Sequence, residues 1–307
     1  METYQPDYFL KKLWQKIYIN SRIAFVACFL IGVLVHMFML SNKLPNHDDF
    51  FQLFDTMHRS MSGRWFLFFP ASFSSVFSLP WVNGLLSILY VSIASSLVVK
   101  CLNIKSALNS VLIAGLMITF PTVCTTLSYM SSADGYFFSL MLACLAVYLT
   151  DKYFLGCIPG IILLTLSLGI YQAYFGFAAA FMVAILLREV VINKHHAHRY
   201  IFIKILRFLA LLTLAILLYM FITKMVPTEL STYMGIDKMG IITFSELPSL
   251  ILGSYSNIFA YFFEESMGLH LPLVNIVITI ITLTIFVMIF SPMDFALPKQ
   301  GAHSTYY

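Results

Sequence analysis

Long apolar runs broken by short polar stretches set the pattern of this chain. Eight runs read as candidate spanning helices: residues 23–40, 81–99, 107–120, 136–149, 153–169, 173–187, 206–222 and 273–290. A membrane helix needs about 20 mostly apolar residues, and no run alternates with the period of two that a strand requires. Residues 153–187 are too long for one crossing, since 35 residues at about 1.5 Å each overshoot a ~30 Å hydrocarbon core. The polar interruption "GIYQAY" (169–174) splits the run into a tight hairpin. Residues 247–263 are apolar but carry Ser249, Ser254, Ser256 and Asn257, and read as an interfacial or re-entrant piece.

The stretch between the first two runs, "SNKLPNHDDFFQLFDTMHRSMSGRW" (41–65), has a different pattern. From Asn46, the residues Phe50, Leu53, Phe54, Met57 and Met61 recur at three and four positions and form one apolar stripe. Asp48, Gln52, Asp55 and Arg59 share the opposite side. This pattern predicts an amphipathic helix lying in the membrane plane, apolar face down.

Composition places the whole chain in lipid. It is 60% hydrophobic and 10% charged, with a mean hydropathy of +0.87, whereas soluble domains hold about 25% charged residues. The five cysteines fall mostly inside apolar runs, without the spacing of a disulfide framework or a metal site. The first run follows a basic stretch without a small-residue cleavage site, and reads as a retained helix. With the N-terminus inside, Lys43, Arg59, Arg64, Lys224 and Lys238 lie outside, and the other thirteen of the 18 lysines and arginines lie inside. This positive-inside bias predicts cytoplasmic termini. Asp48, Asp49, Asp55, Asp134, Glu229, Asp237, Glu246, Glu264 and Glu265 gather on the outer side. The layout is one transmembrane domain over 1–307. Its parts are a cytoplasmic N-terminal segment (1–22), a first periplasmic loop (41–79), a second large periplasmic loop (223–271) and a cytoplasmic tail (291–307).

Two readings of the first loop stand side by side. Asn46 is a good helix N-cap, and acids in a first turn complement the helix dipole. Alternatively, Asp48 or Asp49 is a general base at the bilayer surface, taking a proton from an attacking hydroxyl. Arg59 and Arg64 are then suited to holding a phosphate leaving group through bidentate contacts. Asp48 shares the polar side with Asp55 and Arg59, and Asp49 lies about 100° away toward the apolar edge, which favours Asp48. Oxygen and imidazole groups in "HDD" are also capable of binding a divalent cation, but adjacency alone makes no metal site, and no cofactor is expected. The His-rich "NKHHAHR" (193–199) reads as a solvated basic loop, and His36 as a packed helix histidine.

Three ordered pieces carry a family resemblance: "NHDDFFQLFDTMHRSMSGRWF", "SYMSSADGYFFSLMLACLAVYL" and "LSLGIYQAYFGF". With this topology the chain resembles GT-C-type membrane glycosyltransferases, and more narrowly the serotype-converting glucosyltransferases that decorate O-antigen. The fold expected is an all-α, polytopic helix bundle of about eight spans, with a juxtamembrane helix in the first periplasmic loop. The resemblance implies an undecaprenyl-phosphate-glucose donor, a lipid-linked O-antigen acceptor, and inverting transfer on the periplasmic face of the bacterial inner membrane. It implies Asp48 or Asp49 as base; Asp134 either orients the acceptor or is a helix-start acid, and Tyr171 and Gln172 either line the sugar site or form a polar turn between two spans. Trp65 either stacks on a sugar or prenyl chain, or anchors at the interface. Membrane lipid is the expected surrounding, and nucleic acid is not an expected partner. The competing class is a transporter or flippase for a lipid-linked sugar, which wants ionisable groups or broken helices at mid-membrane. A polymerase of lipid-linked sugars would share the outer site.

Overall fold

The computed structural model describes residues 11–12, 14–44, 46, 49, 62–74, 78–192, 198–226, 230–232, 243, 245–263, 276–277, 279–281 and 283–284. Among the described residues the regular structure is helical, without a strand. Two compact units separate, Met1–Met239 and Gly240–Tyr307.

The first unit contains α1 (Ile19–Ser41), α2 (Phe68–Ser72), α3 (Pro80–Cys101), α4 (Ala107–Thr119), α5 (Pro121–Ser128), α6 (Met130–Lys152), α7 (Cys157–Ile170), α8 (Tyr174–Ile192) and α9 (His198–Met225). Helix α6 is central and packs on α3, α7 and α8. Its buried face is rich in small residues, including Ser131, Ser132, Ala133, Gly135, Ser139, Ala143 and Ala146. Small side chains let helix backbones approach closely where lipid offers no hydrophobic drive for association. At the α6–α7 contact Ser139 Oγ donates to the Ser167 carbonyl at 2.8 Å, and Ser167 Oγ returns a bond to the Ser139 carbonyl at 2.9 Å.

Five helices, α1, α3, α6, α8 and α9, are long and apolar enough to cross a membrane, or six spans if the bent α4–α5 pair is one. These helices are those among the described residues. The 107–120 run is α4, which meets α5 at a 41° bend at Phe120–Pro121, as in a broken span or a re-entrant loop. Proline supplies no N–H to continue α4, but suits the first turn of α5. Buried His36 sits at this break, its Nε2 2.9 Å from the carbonyl oxygen of Ile118, one of the carbonyls a helix end leaves open. The 153–169 run has a 3-10 turn, Phe154–Gly156, before α7, leaving an apolar helix of 14 residues. Most of the 273–290 run lies outside the described residues.

The predicted break in "GIYQAY" is present. Helix α7 ends at Ile170, Tyr171 is extended (φ −153°, ψ 109°), and α8 begins at Tyr174. The chain therefore returns at this point to the bundle end that carries the first loop. At the opposite end Lys204 Nζ bonds Asp151 at 2.6 Å and Glu189 at 2.9 Å, and Arg188 pairs with Glu189. Arg207 donates to the Thr150 and Tyr153 carbonyls where α6 ends. Cations near a helix C-terminus complement its dipole. In the second unit the 247–263 segment is a helix, α10 (Leu247–Phe263), started by Glu246 Oε2 accepting from the Thr243 amide at 3.1 Å.

Candidate functional site at the first-loop end

The start of the first loop is tied to the start of α6 through Asp49, which is only 4% exposed. Its Oδ2 accepts from the backbone N–H of Asn46 at 3.1 Å, and the Asp49 N–H donates to the Asn46 carbonyl at 3.0 Å. The acid three residues after a cap thus reaches back to the cap's own N–H, the logic of a capping box. Its Oδ1 accepts from the backbone N–H of Ser131 at 3.1 Å. Ser131 lies in the first turn of α6, where N–H groups lack helical partners. One carboxylate therefore serves two chain segments, and Asn46 Nδ2 adds a 3.4 Å bond to Ser128 Oγ of α5. Asp48, Asp55 and Arg59, and most of the predicted amphipathic helix, lie outside the described residues.

The "GRW" turn carries the second element. Gly63 adopts φ 70°, in the left-handed region that glycine enters without steric cost. The turn is held from below. Gln172 Nε2 donates to the Ser62 carbonyl at 3.0 Å and to Tyr219 Oη at 2.9 Å, and Tyr219 Oη donates to the Gly63 carbonyl at 3.1 Å. The Phe66 N–H bonds the Gly169 carbonyl at 2.8 Å. A Cβ on Gly169 would come within 2.7 Å of the Trp65 ring, so the hydrogen at this position is what admits the indole. Trp65 stacks on Tyr219 with ring centroids 6.4 Å apart, and its Nε1 donates to Thr223 Oγ1 at 3.2 Å.

This places Arg64 against two aromatic rings. Its Nη1 donates to Tyr136 Oη at 2.8 Å, and the guanidinium carbon lies 5.4 Å and 5.0 Å from the Tyr136 and Tyr171 ring centroids. The two rings stack on each other at 4.5 Å. Cation–π attraction and a planar fork of donors suit this position to arginine and not to lysine. Arg64 Nε is buried and has no hydrogen-bond partner among the described residues.

Asp134 belongs to an adjoining network. It is 1% exposed; Ser74 Oγ donates to its Oδ2 at 2.8 Å and Asn83 Nδ2 to its Oδ1 at 3.1 Å. Asn83 Nδ2 also donates to Ser74 Oγ at 2.9 Å. The three side chains pin the return of the first loop to α3 and α6. Two residues along a helix are about 200° apart, so Asp134 and Tyr136 face opposite sides of α6, and Asp134 does not join Arg64. The four predicted residues Arg64, Trp65, Tyr171 and Gln172 do come together. Sequence reasoning missed Tyr136, Tyr219, Thr223, Ser74 and Asn83. The available signal was the spacing of Tyr219 and Thr223, which four residues apart share a helix face. Among the described residues no three His, Cys, Asp or Glu side chains group to hold a metal.

The family model for glucosyl transferase GtrII matches residues 37–293. No curated protein and no solved structure matches the chain. The matched region covers most of the 307 residues and includes both the Asp48–Asp49 pair and the Arg64 cluster. A helical, lipid-suited chain with this match is a membrane glycosyltransferase, and it belongs to the glucosyl transferase GtrII family.

Proposed function

We propose that the chain moves glucose from undecaprenyl-phosphate-glucose to a sugar of a lipid-linked O-antigen, on the periplasmic face of the bacterial inner membrane. A hydroxyl oxygen of the acceptor attacks the anomeric carbon of glucose. The bond from that carbon to the phosphate oxygen breaks, undecaprenyl phosphate leaves, and the anomeric centre inverts in one displacement. The hydroxyl proton passes to a carboxylate. Asp48 is the base in this reading, because the Asp49 carboxylate is already held between the backbone N–H groups of Asn46 and Ser131. Asp49 then positions its neighbour. Arg64 neutralises the phosphate as charge develops on the leaving oxygen, with Arg59 as a second guanidinium and Tyr136 fixing the fork. Trp65 and Tyr171 offer aromatic faces to the glucose and the first prenyl units, and Asp134 sets the loop behind the acceptor.

The observation that carries this reading is Arg64, a cation held by aromatic rings at the bundle end where the first loop meets α6. A transporter would not need a fixed cation of this kind at one end of the bundle. Charged hydrogen bonds contribute about 1.5–3 kcal/mol, so Arg64→Ala is expected to raise the KM for undecaprenyl-phosphate-glucose by about 10–100-fold. The measurement is transfer of labelled glucose by the purified chain in liposomes. An unchanged donor KM would remove Arg64 from the site.

A further inference from the structure

We infer that Tyr219 and Gln172 are positioning residues for Arg64, forming a three-bond latch that fixes the "GRW" turn from beneath. Gln172 spends both amide hydrogens on it, one on the Ser62 carbonyl at 3.0 Å and one on Tyr219 Oη at 2.9 Å. The Tyr219 hydroxyl passes its own hydrogen to the Gly63 carbonyl at 3.1 Å. The two carbonyls held are those of the two residues immediately before Arg64. Chained hydrogen bonds polarise one another, so the set is stiffer than its members alone. Gly63 stands at φ 70°, a backbone state with several alternatives open to glycine. Without the latch the Ser62–Gly63 side of the turn loses its side-chain anchors, and the Phe66–Gly169 bond and the Trp65 contacts hold only the side beyond Arg64. Tyr219 also lies in α9, 28 residues long, whose end leads into the second outer loop. The latch thus joins α9 to the residue that would meet the donor.

This inference rests on the reading of Arg64 as the phosphate holder. Tyr219→Phe removes the hydroxyl while keeping the ring that stacks on Trp65, and Gln172→Leu breaks the same chain from the other side. Each variant is compared with the unmodified chain and with Arg64→Ala, alone and combined, at matched amounts of folded protein. The readouts are the dissociation constant of labelled undecaprenyl phosphate and the donor KM and kcat. The expected result is a 3–10-fold loss of lipid binding and an equal rise in donor KM, with kcat within about twofold. In the Arg64→Ala background neither variant should add more than about twofold, because the two changes remove one interaction. An equal loss in both backgrounds, or a fall in kcat at unchanged donor KM, overturns the latch and leaves the phosphate reading standing. An Arg64→Ala variant that binds undecaprenyl phosphate normally overturns both. If Tyr219→Phe does not accumulate, Gln172→Leu carries the same comparison.

Discussion

Three polar side chains with hidden partners account for much of the first-loop end: Asp49, Asp134 and Arg64. Asp134 accepts from Ser74 and Asn83 inside the bundle, where neither donor finds water. Replacing it with leucine removes the carboxylate acceptor from both donors. Asn83 Nδ2 then keeps only its bond to Ser74 Oγ, and Ser74 Oγ donates only to the Ala71 carbonyl. A buried N–H left unsatisfied costs about 1–3 kcal/mol. Asp134→Leu is therefore expected to lower membrane abundance and the unfolding temperature, while Asp134→Asn keeps one acceptor and loses less. Both are read by thermal unfolding in detergent, and equal stability of all three chains would show that the network is dispensable. Sequence alone marked Asp134 and Arg64 as notable because charge is scarce in this chain. It did not reveal their partners, since Ser74 and Asn83 are ordinary residues that only folding brings to Asp134. Tyr219 was hidden for another reason. A tyrosine near the end of an apolar run matches the common interfacial anchor, and nothing local shows that its hydroxyl faces Gly63.

At the scale of elements, legibility followed hydrophobic period and proline. The break at Tyr171 was readable from length, because no single helix of 35 residues fits the core. The bend at Phe120–Pro121 was half readable: proline ended the predicted run at the right place, but its fitness for a first helical turn restarted a helix at once. The shortness of α7 was not readable, because residues 153–156 continue the apolar run and no polar residue marks the 3-10 turn Phe154–Gly156 that precedes α7. The capping of α6 by Asp49 was half anticipated as well. The sequence suggested an acid at its own helix start, and the second N–H belongs to Ser131, 82 positions away.

For the whole molecule, the alternation of helices brings the first loop, the α5–α6 junction, the α7–α8 hairpin and the end of α9 to one end, with the Lys204, Arg188 and Arg207 cluster at the other. The basic-residue bias predicts that the first-loop end faces outside. A single cysteine at Ser60, in a chain freed of its native cysteines, is expected to react with an impermeant reagent from the periplasmic side of intact cells. Reaction only after the inner membrane is opened would invert the layout and remove the site from the periplasm. The central claim is that a carboxylate at this end takes the acceptor's proton, with Asp48 as base and Asp49 as its support. Asparagine is nearly isosteric with aspartate but takes no proton at neutral pH. The direct measurement is glucose transfer to O-antigen by Asp48→Asn and Asp49→Asn, scored per unit of folded protein. The account predicts that Asp48→Asn accumulates normally and loses about 10²–10⁴-fold in rate. Asp49→Asn should accumulate poorly, its folded fraction retaining most of the transfer. Near-normal transfer by Asp48→Asn would contradict the account.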